Sequence, residues 1–305
     1  MLKSLLLLSL FCTLVFSGAL QKDKIYTIAF SQDTLENPFR LKQLRVVEDT
    51  LAQYPNIHFF YSNAKSNAAL QVKQIEDFIS QNVDLLMASP YDEEITEAII
   101  SKAYKLGIPV IMVDRGTKGN EFTTYVHPDN EKIARDAAMY LVKKMDYKGT
   151  ILLLKGIPKA DVTRKRTKGF YEVVKQYPNI KVIEYTANYL GRDAIIGVEK
   201  LLKEGKHFDA IMSQSDSMLV GARMALRANN IDLASVISVG IDYTSFAQEA
   251  IQHGYQDSSF VYSLSAKESA KAAIEILSGK KVPKEIVLDT IQVTKDNVDE
   301  IKPIF

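Results

Sequence analysis

Gln53-Tyr54-Pro55-Asn56-Ile57 stands a second time, letter for letter, as Gln176-Tyr177-Pro178-Asn179-Ile180. Each copy lies between a stretch with helical spacing of apolar residues and a strand-like run. The echo continues outward at a slowly drifting offset. Asp84-Leu85-Leu86-Met87-Ala88-Ser89 is answered by Asp209-Ala210-Ile211-Met212-Ser213-Gln214, and Val110-Ile111-Met112-Val113-Asp114 by Ser238-Val239-Gly240-Ile241-Asp242. A chain that writes one α/β unit twice builds two similar lobes. The cleft between two such lobes is a natural place for a small ligand.

The rest of the chain fits that scheme. Strands are expected at Ile25–Phe30, Ile57–Tyr61, Val83–Ala88, Pro109–Val113 and Thr123–Val126, with amphipathic helices at Leu41–Tyr54, Ala69–Gln81 and Glu94–Leu106. In the second half, strands are expected at Thr150–Leu154, Lys181–Tyr185, Ala210–Ser213, Val236–Ile241 and Phe260–Tyr262. Helices fill Gly169–Gln176, Arg192–Glu204, Ser217–Asn229 and Ser245–His253. One more helix, Ala266–Ser278, precedes a last strand near Ile286–Ile291. Strands alternating with helices over short connections predict α/β lobes, each a parallel sheet with helices on both faces. Crossings between lobes are expected near Val126–Asp129, Ser263 and Asp289–Thr290. They divide the chain into a first lobe of 20–127 plus 264–289 and a second of 128–263 plus 290–305. Several crossings make a hinge, and no Gly/Ser-rich linker interrupts the pattern.

The first residues bear on compartment. Lys3 precedes an apolar run from Leu5 to Phe16, which Ser17-Gly18-Ala19 ends. The run is shorter than the ~20 apolar residues that span a bilayer. It matches the core of a cleavable signal peptide (residues 1–19), with small Ser17 and Ala19 placed for cleavage after Ala19. A buried first helix is the alternative. The one cysteine, Cys12, falls inside this segment, and Leu10-Phe11 lacks the small residues that precede a lipid-bearing cysteine. Export to the periplasm of a chain without disulfides is the expectation. Lys and Arg number 38 against 37 Asp and Glu, a net charge of +1, so there is no basic surplus to indicate nucleic acid.

In parallel sheets, ligands sit beyond the carboxyl ends of the strands. The first half delivers Ser31-Gln32-Asp33, then Asn37-Pro38-Phe39-Arg40, Ser89-Pro90-Tyr91-Asp92 and Asp114-Arg115 to that edge. The second half delivers Lys155-Gly156, Thr186-Ala187-Asn188-Tyr189, Gln214-Ser215-Asp216 and Asp242-Tyr243. Carboxylates and guanidinium forks bond to hydroxyl pairs, and aromatic rings stack on the C–H faces of a sugar. Each feature has a plainer reading. Asp114-Arg115 can be a structural ion pair, Phe39 and Tyr189 rim aromatics, and Ser89, Ser215 and Asp216 strand-end or helix caps.

Catalytic and cofactor motifs are absent from the sequence. His58, His127, His207 and His253 have no partners at metal-ligand spacing. No phosphate-binding loop, Gly-x-Gly-x-x-Gly or Gly-x-Ser-x-Gly occurs. Asp114 and Asp242 are the right residue type for a glycosidase pair, but nothing marks either as the acid. A binding protein without cofactor, not an enzyme, is the expectation.

Over essentially its whole mature length the chain resembles the periplasmic sugar-binding proteins of the ribose/galactose type, the type I receptors of ABC transporters. The resemblance rests on Asn37-Pro38-Phe39, Gly107-Ile108-Pro109-Val110-Ile111-Met112-Val113-Asp114-Arg115, Ser213-Gln214-Ser215-Asp216-Ser217-Met218, Val239-Gly240-Ile241-Asp242 and Lys281-Val282-Pro283, in that order. It implies two Rossmann-like lobes closing on one sugar. Phe39 and Tyr189 would be stacking rings, Asp114, Arg115 and Asp242 hydroxyl-gripping groups, and Arg164 a second-lobe contact. Lys165 and Arg166 are expected as surface charge, with Gln32, Asp33, Asn37, Arg40, Ser89 and Ser215 completing the site.

Departures from the ribose pattern are informative. Arg40 stands where ribose receptors have a second phenylalanine, Ser89 and Ser215 replace asparagines, and Ser263 replaces a glutamine. Phe30-Ser31-Gln32 followed by Phe39-Arg40 looks more like galactofuranose receptors and the sensing domains of some histidine kinases, so a furanose is favoured. Arg40 either pairs with Asp33 or Glu36 or meets an acidic group on the ligand. The implied partner of a monomeric receptor is an ABC permease. The alternative is a sugar sensor acting on a membrane histidine kinase or chemoreceptor. A sugar-responsive repressor is disfavoured, since a leader stands where its helix-turn-helix would be.

Overall fold

The computed structural model describes residues 20–305. The leader, its cleavage point and Cys12 lie outside the described residues. Two six-stranded sheets form the protein. The first combines β1 (Tyr26–Gln32), β2 (Ile57–Asn63), β3 (Leu85–Ser89), β4 (Val110–Val113), β5 (Thr124–Pro128) and β11 (Glu285–Leu288), ordered β2-β1-β3-β4-β5-β11. The second combines β6 (Gly149–Lys155), β7 (Ile180–Thr186), β8 (Ala210–Ser213), β9 (Ile237–Val239), β10 (Ser258–Val261) and β12 (Ile291–Thr294), ordered β7-β6-β8-β9-β10-β12. The two orders superimpose strand for strand, as the repeated phrase requires. That phrase leads into β2 and β7, the edge strand of each sheet.

Sequence and burial explain these positions. β3 and β4 are continuous apolar runs, buried along their whole length, as strands covered on both faces must be. Edge strand β2 carries polar and aromatic residues and is only partly buried. Helices α1 (Pro38–Leu51), α2 (Ala68–Ser80), α3 (Glu97–Lys105) and α9 (Ala266–Leu277) cover the first sheet. Helices α4 (Asn130–Lys144), α5 (Asp161–Val174), α6 (Gly191–Lys203), α7 (Asp216–Ala228) and α8 (Ser245–Gln252) cover the second. The chain passes between sheets after β5, after β10 and between β11 and β12.

Three elements differ from the sequence expectation. α4 is a full helix where none is expected. Its inward stripe of Ile133, Ala134, Ala137, Ala138, Leu141 and Val142 has helical spacing, but alanines dilute the signal. α5 begins at Asp161, two turns before Gly169. Gly169 sits inside this helix because a Cβ there would meet the Glu131 carbonyl oxygen at 2.3 Å, so α4 and α5 touch backbone to backbone. The single strand expected near Ile286–Ile291 is two strands in different sheets. β11 runs parallel to β5, while β12 runs antiparallel to β10 after the chain crosses at Asp289–Thr290.

Candidate functional site

The first lobe builds one wall from a chain of buried charges. Asp33, just past β1, is fully buried. Its Oδ2 accepts from Arg115 Nη1 at 2.6 Å, and its Oδ1 lies 3.2 Å from Arg40 Nε. Asn37 caps α1, accepting from Phe39 N at 2.8 Å, and Pro38 opens the helix. Arg40 is thereby aimed inward, with Nη2 2.7 Å from Asp114 Oδ2 and Nη1 donating to Gln43 Oε1 at 3.0 Å. Asp114 ends β4 with φ of 66°, and its Oδ1 accepts from Tyr262 Oη at 2.6 Å. Burial alone would raise the Asp114 carboxyl. Arg40, the Tyr262 hydroxyl, Arg115 and Arg166 outweigh burial and hold it below the usual range. Arg40 is likewise penalised by burial, yet Asp114 and Asp33 raise its pKa further above its ordinary value.

The opposite wall comes from the second lobe. Asp242 follows β9 with φ of 124°, so the paired carboxylates of the repeat both have left-handed backbone, a strained geometry typical of sites. No side chain among the described residues forms an ion pair with Asp242, and the Asp216 backbone N–H approaches its carboxylate. Burial raises its pKa well above the usual range. Asp216 and Asp114 add to that, and Arg166 opposes it. Arg166 is 3% exposed. Its Nε donates to Asn130 Oδ1 at 2.8 Å, Nη1 donates to the Gln214 carbonyl, and its guanidinium lies 4.5 Å from the Tyr262 ring centre. Tyr189 bonds Thr163 through its hydroxyl at 2.8 Å and lies flat over Gly156, where any Cβ would come within 1.9 Å of the ring.

These walls enclose a chamber with about 320 Å³ of empty space, its mouth included. Asn37, Phe39, Arg40, Asp114, Arg115, Tyr189, Ser215 and Asp242 all line it. Phe39 tilts against Tyr262 with ring centres 5.7 Å apart. Ser215 also caps α7, accepting from Met218 N at 3.3 Å. Three expected contacts stand one layer back. Asp33 lies beneath the two arginines. Gln32 donates to Gln43 Oε1 at 2.8 Å, and Ser89 is fully buried at its strand end.

Arg164 and Arg166 exchange the places expected of them. Arg164 is half-exposed and forms a fork with Glu93 of the first lobe, Nε to Oε1 and Nη2 to Oε2 both 2.9 Å. The cause is the early start of α5. At 100° per residue the two side chains point about 200° apart, and Val162, Arg166, Gly169, Phe170 and Val173 form the buried stripe. That stripe is visible in the sequence once the helix start is moved back. Tyr262 is the other residue the sequence reading leaves out, since it looks like the end of a buried strand. Of the alternatives for Arg40, pairing with Asp33 is realised, together with Asp114. Glu36 instead lies 3.6 Å from Arg192.

Further bonds hold the lobes together. Asn37 Nδ2 donates to the Tyr189 carbonyl at 3.0 Å, and Tyr125 Oη donates to Asp161 Oδ2 at 2.9 Å. Two doubled α/β lobes clasping a polar, aromatic-walled chamber define a ligand-binding protein. The profile of the periplasmic binding protein domain matches residues 28–281, and the chain belongs to that family of non-catalytic binding proteins. The ribose import binding protein of Bacillus subtilis is 28% identical over 265 residues, 86% of this chain and 85% of that protein. The fructose-binding periplasmic domain of a hybrid two-component system is similar in structure, with a TM-score of 0.85 at 26% identity over 90% of this chain and 92% of that one. An ABC transporter solute-binding protein from Bacillus halodurans C-125 with bound myo-inositol has the same TM-score and identity, over 91% of this chain and 97% of that one.

Proposed function

We propose that the chain is an exported receptor that closes its two lobes on one sugar or polyol and delivers it to an ABC permease. The observation that carries this reading is the Asp242 carboxylate. It faces a chamber of three arginines and three aromatic rings with no side-chain ion partner of its own among the described residues. A ligand with vicinal hydroxyls fits such a chamber: hydroxyls donate to Asp242 and Asp114, accept from Arg115 and Arg166, and leave C–H faces to Phe39 and Tyr189. A monosaccharide in furanose form is the favoured ligand, because Phe30-Ser31-Gln32 followed by Phe39-Arg40 resembles the galactofuranose receptors. Arg164 acts outside the chamber, as a latch to Glu93.

In this reading, residues 1–19 are a leader and the mature monomer works in the periplasm. The lobes, 20–127 with 264–289 and 128–263 with 290–305, open and close about the three crossings. A second reading, a sensor that presents its ligand state to a membrane kinase, is favoured by the likeness to a two-component sensing domain. That likeness equals the one to a transporter receptor.

The test is a thermal-shift screen of protein beginning at Leu20 against pentoses, hexoses, fructose, inositols, sugar acids and sugar phosphates, read with a dye because the chain has no tryptophan. A ligand at ~1,000 times its Kd adds about 4 kcal/mol and several degrees of Tm. A panel without any shift would sink the sugar reading.

A further inference from the structure

The inner chamber is not the largest space between the lobes. Beside it lies an outer cavity with about 810 Å³ of empty space, against about 320 Å³ inside. Asn37, Arg40, Arg115 and Tyr189 line both, so they form the partition between them. The outer cavity persists although the lobes are already tied by the Glu93–Arg164 fork and the Asn37–Tyr189 bond. Without its open mouth its volume is about 310 Å³, at the lower end of the range of small-molecule sites, ~300–1,000 Å³.

Its rims come from equivalent places in the repeat. Lys65 and Ser66 follow β2, and Asn188 and Tyr189 follow β7, the two strands the repeated phrase leads into. All four residues have left-handed backbone, with φ between 49° and 62°. Both rims are held in place. Ser66 N donates to the Asp33 carbonyl at 2.9 Å, and Asn188 Nδ2 donates to Asp193 Oδ2 at 2.9 Å. The charges on the walls balance. Lys65 and Arg192 face Glu36 and Asp193, while Arg40 and Arg115 are committed to Asp33 and Asp114. A neutral, hydroxyl-rich group suits such walls, and a phosphate does not.

We infer that the outer cavity is a second subsite, which takes the next sugar ring of a neutral disaccharide or glycoside whose first ring sits in the inner chamber. This deepens the sugar-receptor reading above and rests on it. The glycosidic oxygen passes the partition between Arg115 and Tyr189, and the second ring meets Tyr91, Asn188 and Asp193.

Calorimetry on the chain from Leu20 tests it with matched probes. These are D-fructose against sucrose and inulobiose, L-arabinose against methyl α-L-arabinofuranoside and arabinofuranobiose, D-galactose against lactose, and D-fructose 6-phosphate as the charged comparison. At least one disaccharide is expected to bind tenfold or more tighter than its own monosaccharide. Lys65→Trp, which fills the outer cavity, is expected to erase that gain while leaving the monosaccharide Kd within twofold. If a monosaccharide binds and every glycoside containing it binds tenfold weaker, the subsite is overturned while the sugar reading stands. Tighter binding of the phosphate than of any disaccharide overturns the neutral assignment. No binding by any probe overturns both readings together.

Discussion

Asp114 and Asp242 occupy the same position in two copies of one unit, yet their surroundings push them in opposite directions. Asp114 is gripped by Arg40 and by the Tyr262 hydroxyl and is held ionised. Asp242 has no such grip and is pushed toward its neutral form. The first-lobe wall is therefore finished before any ligand arrives, with its acceptors and donors already fixed. The second-lobe wall is unfinished, and in the proposed function a hydroxyl-bearing ligand would complete it. Preorganisation on one side and an unmet acceptor on the other would let ligand binding, and not closure alone, stabilise the closed state.

The strongest way to break this comparison is to remove each carboxylate in turn. Asp114→Ala and Asp242→Ala are both expected to weaken ligand binding by about 30- to 5,000-fold, since truncating one member of a buried hydrogen-bonded pair costs about 2–5 kcal/mol. Stability of the empty protein should separate them. Asp114→Ala leaves Arg40 short of a partner in the core and is expected to lower stability by about 3 kcal/mol. Asp242→Asn removes an unmet buried carboxylate and is expected to raise Tm or leave it unchanged. Equal Tm losses in the two variants would show that the walls do not differ as described.

The arginines sharpen it next. Arg166→Ala is expected to lower affinity about a hundredfold, the loss for a buried charged donor. Calorimetric titration should show most of that loss for every sugar bound. A variant that still binds within threefold of wild type would remove Arg166 from the chamber.

The pH dependence is expected to be smaller and to carry a definite sign. A carboxyl whose folded pKa is raised destabilises the fold as it ionises. The Asp242 contribution is therefore nil below the unfolded value near ~4. It grows more unfavourable as pH rises toward the raised folded value and then levels off, with a slope of at most about 1.4 kcal/mol per pH unit. Asp216, Asp114 and Arg166 are the charged neighbours that set that value. Asp114 works the other way, its stabilisation present above ~4 and lost on acidification. Melting curves of empty wild type and Asp242→Asn should diverge across the upper window, and ligand should close the gap. Parallel curves would contradict the assignment.

The repeat, the strands and the two paired aspartates were legible in the sequence, because burial on both faces writes itself as uninterrupted apolar runs with polar residues at their ends. What was not legible depends on phase and depth. Arg164 and Arg166 cannot be told apart until the first residue of α5 is known, and Ala160 offers no side-chain cap to announce it. Gln32, Asp33 and Ser89 stand at a strand end exactly as chamber residues do, and only three-dimensional packing puts them a layer behind. Glu93 and Tyr262 act through partners far off in sequence, Arg164 and Asp114, so no local pattern marks them.

The smallest expected effect belongs to the latch, and it separates closing from gripping. Glu93 is buried and Arg164 half-exposed, in opposite lobes, joined by two 2.9 Å bonds that can exist only when the lobes are together. Solvent around Arg164 screens the pair, so its contribution should be near 0.5–1 kcal/mol, or about two- to fivefold in ligand affinity. The loss in Arg164→Ala, Glu93→Gln and the double variant should be the same, because each removes one shared interaction. It should shrink in high salt, whereas the loss in Arg166→Ala should not. The fold change should also be equal for all ligands, since a latch biases closure without touching what is enclosed. A ligand-dependent loss in Arg164→Ala would place that side chain back in contact with the sugar and undo the exchange between Arg164 and Arg166.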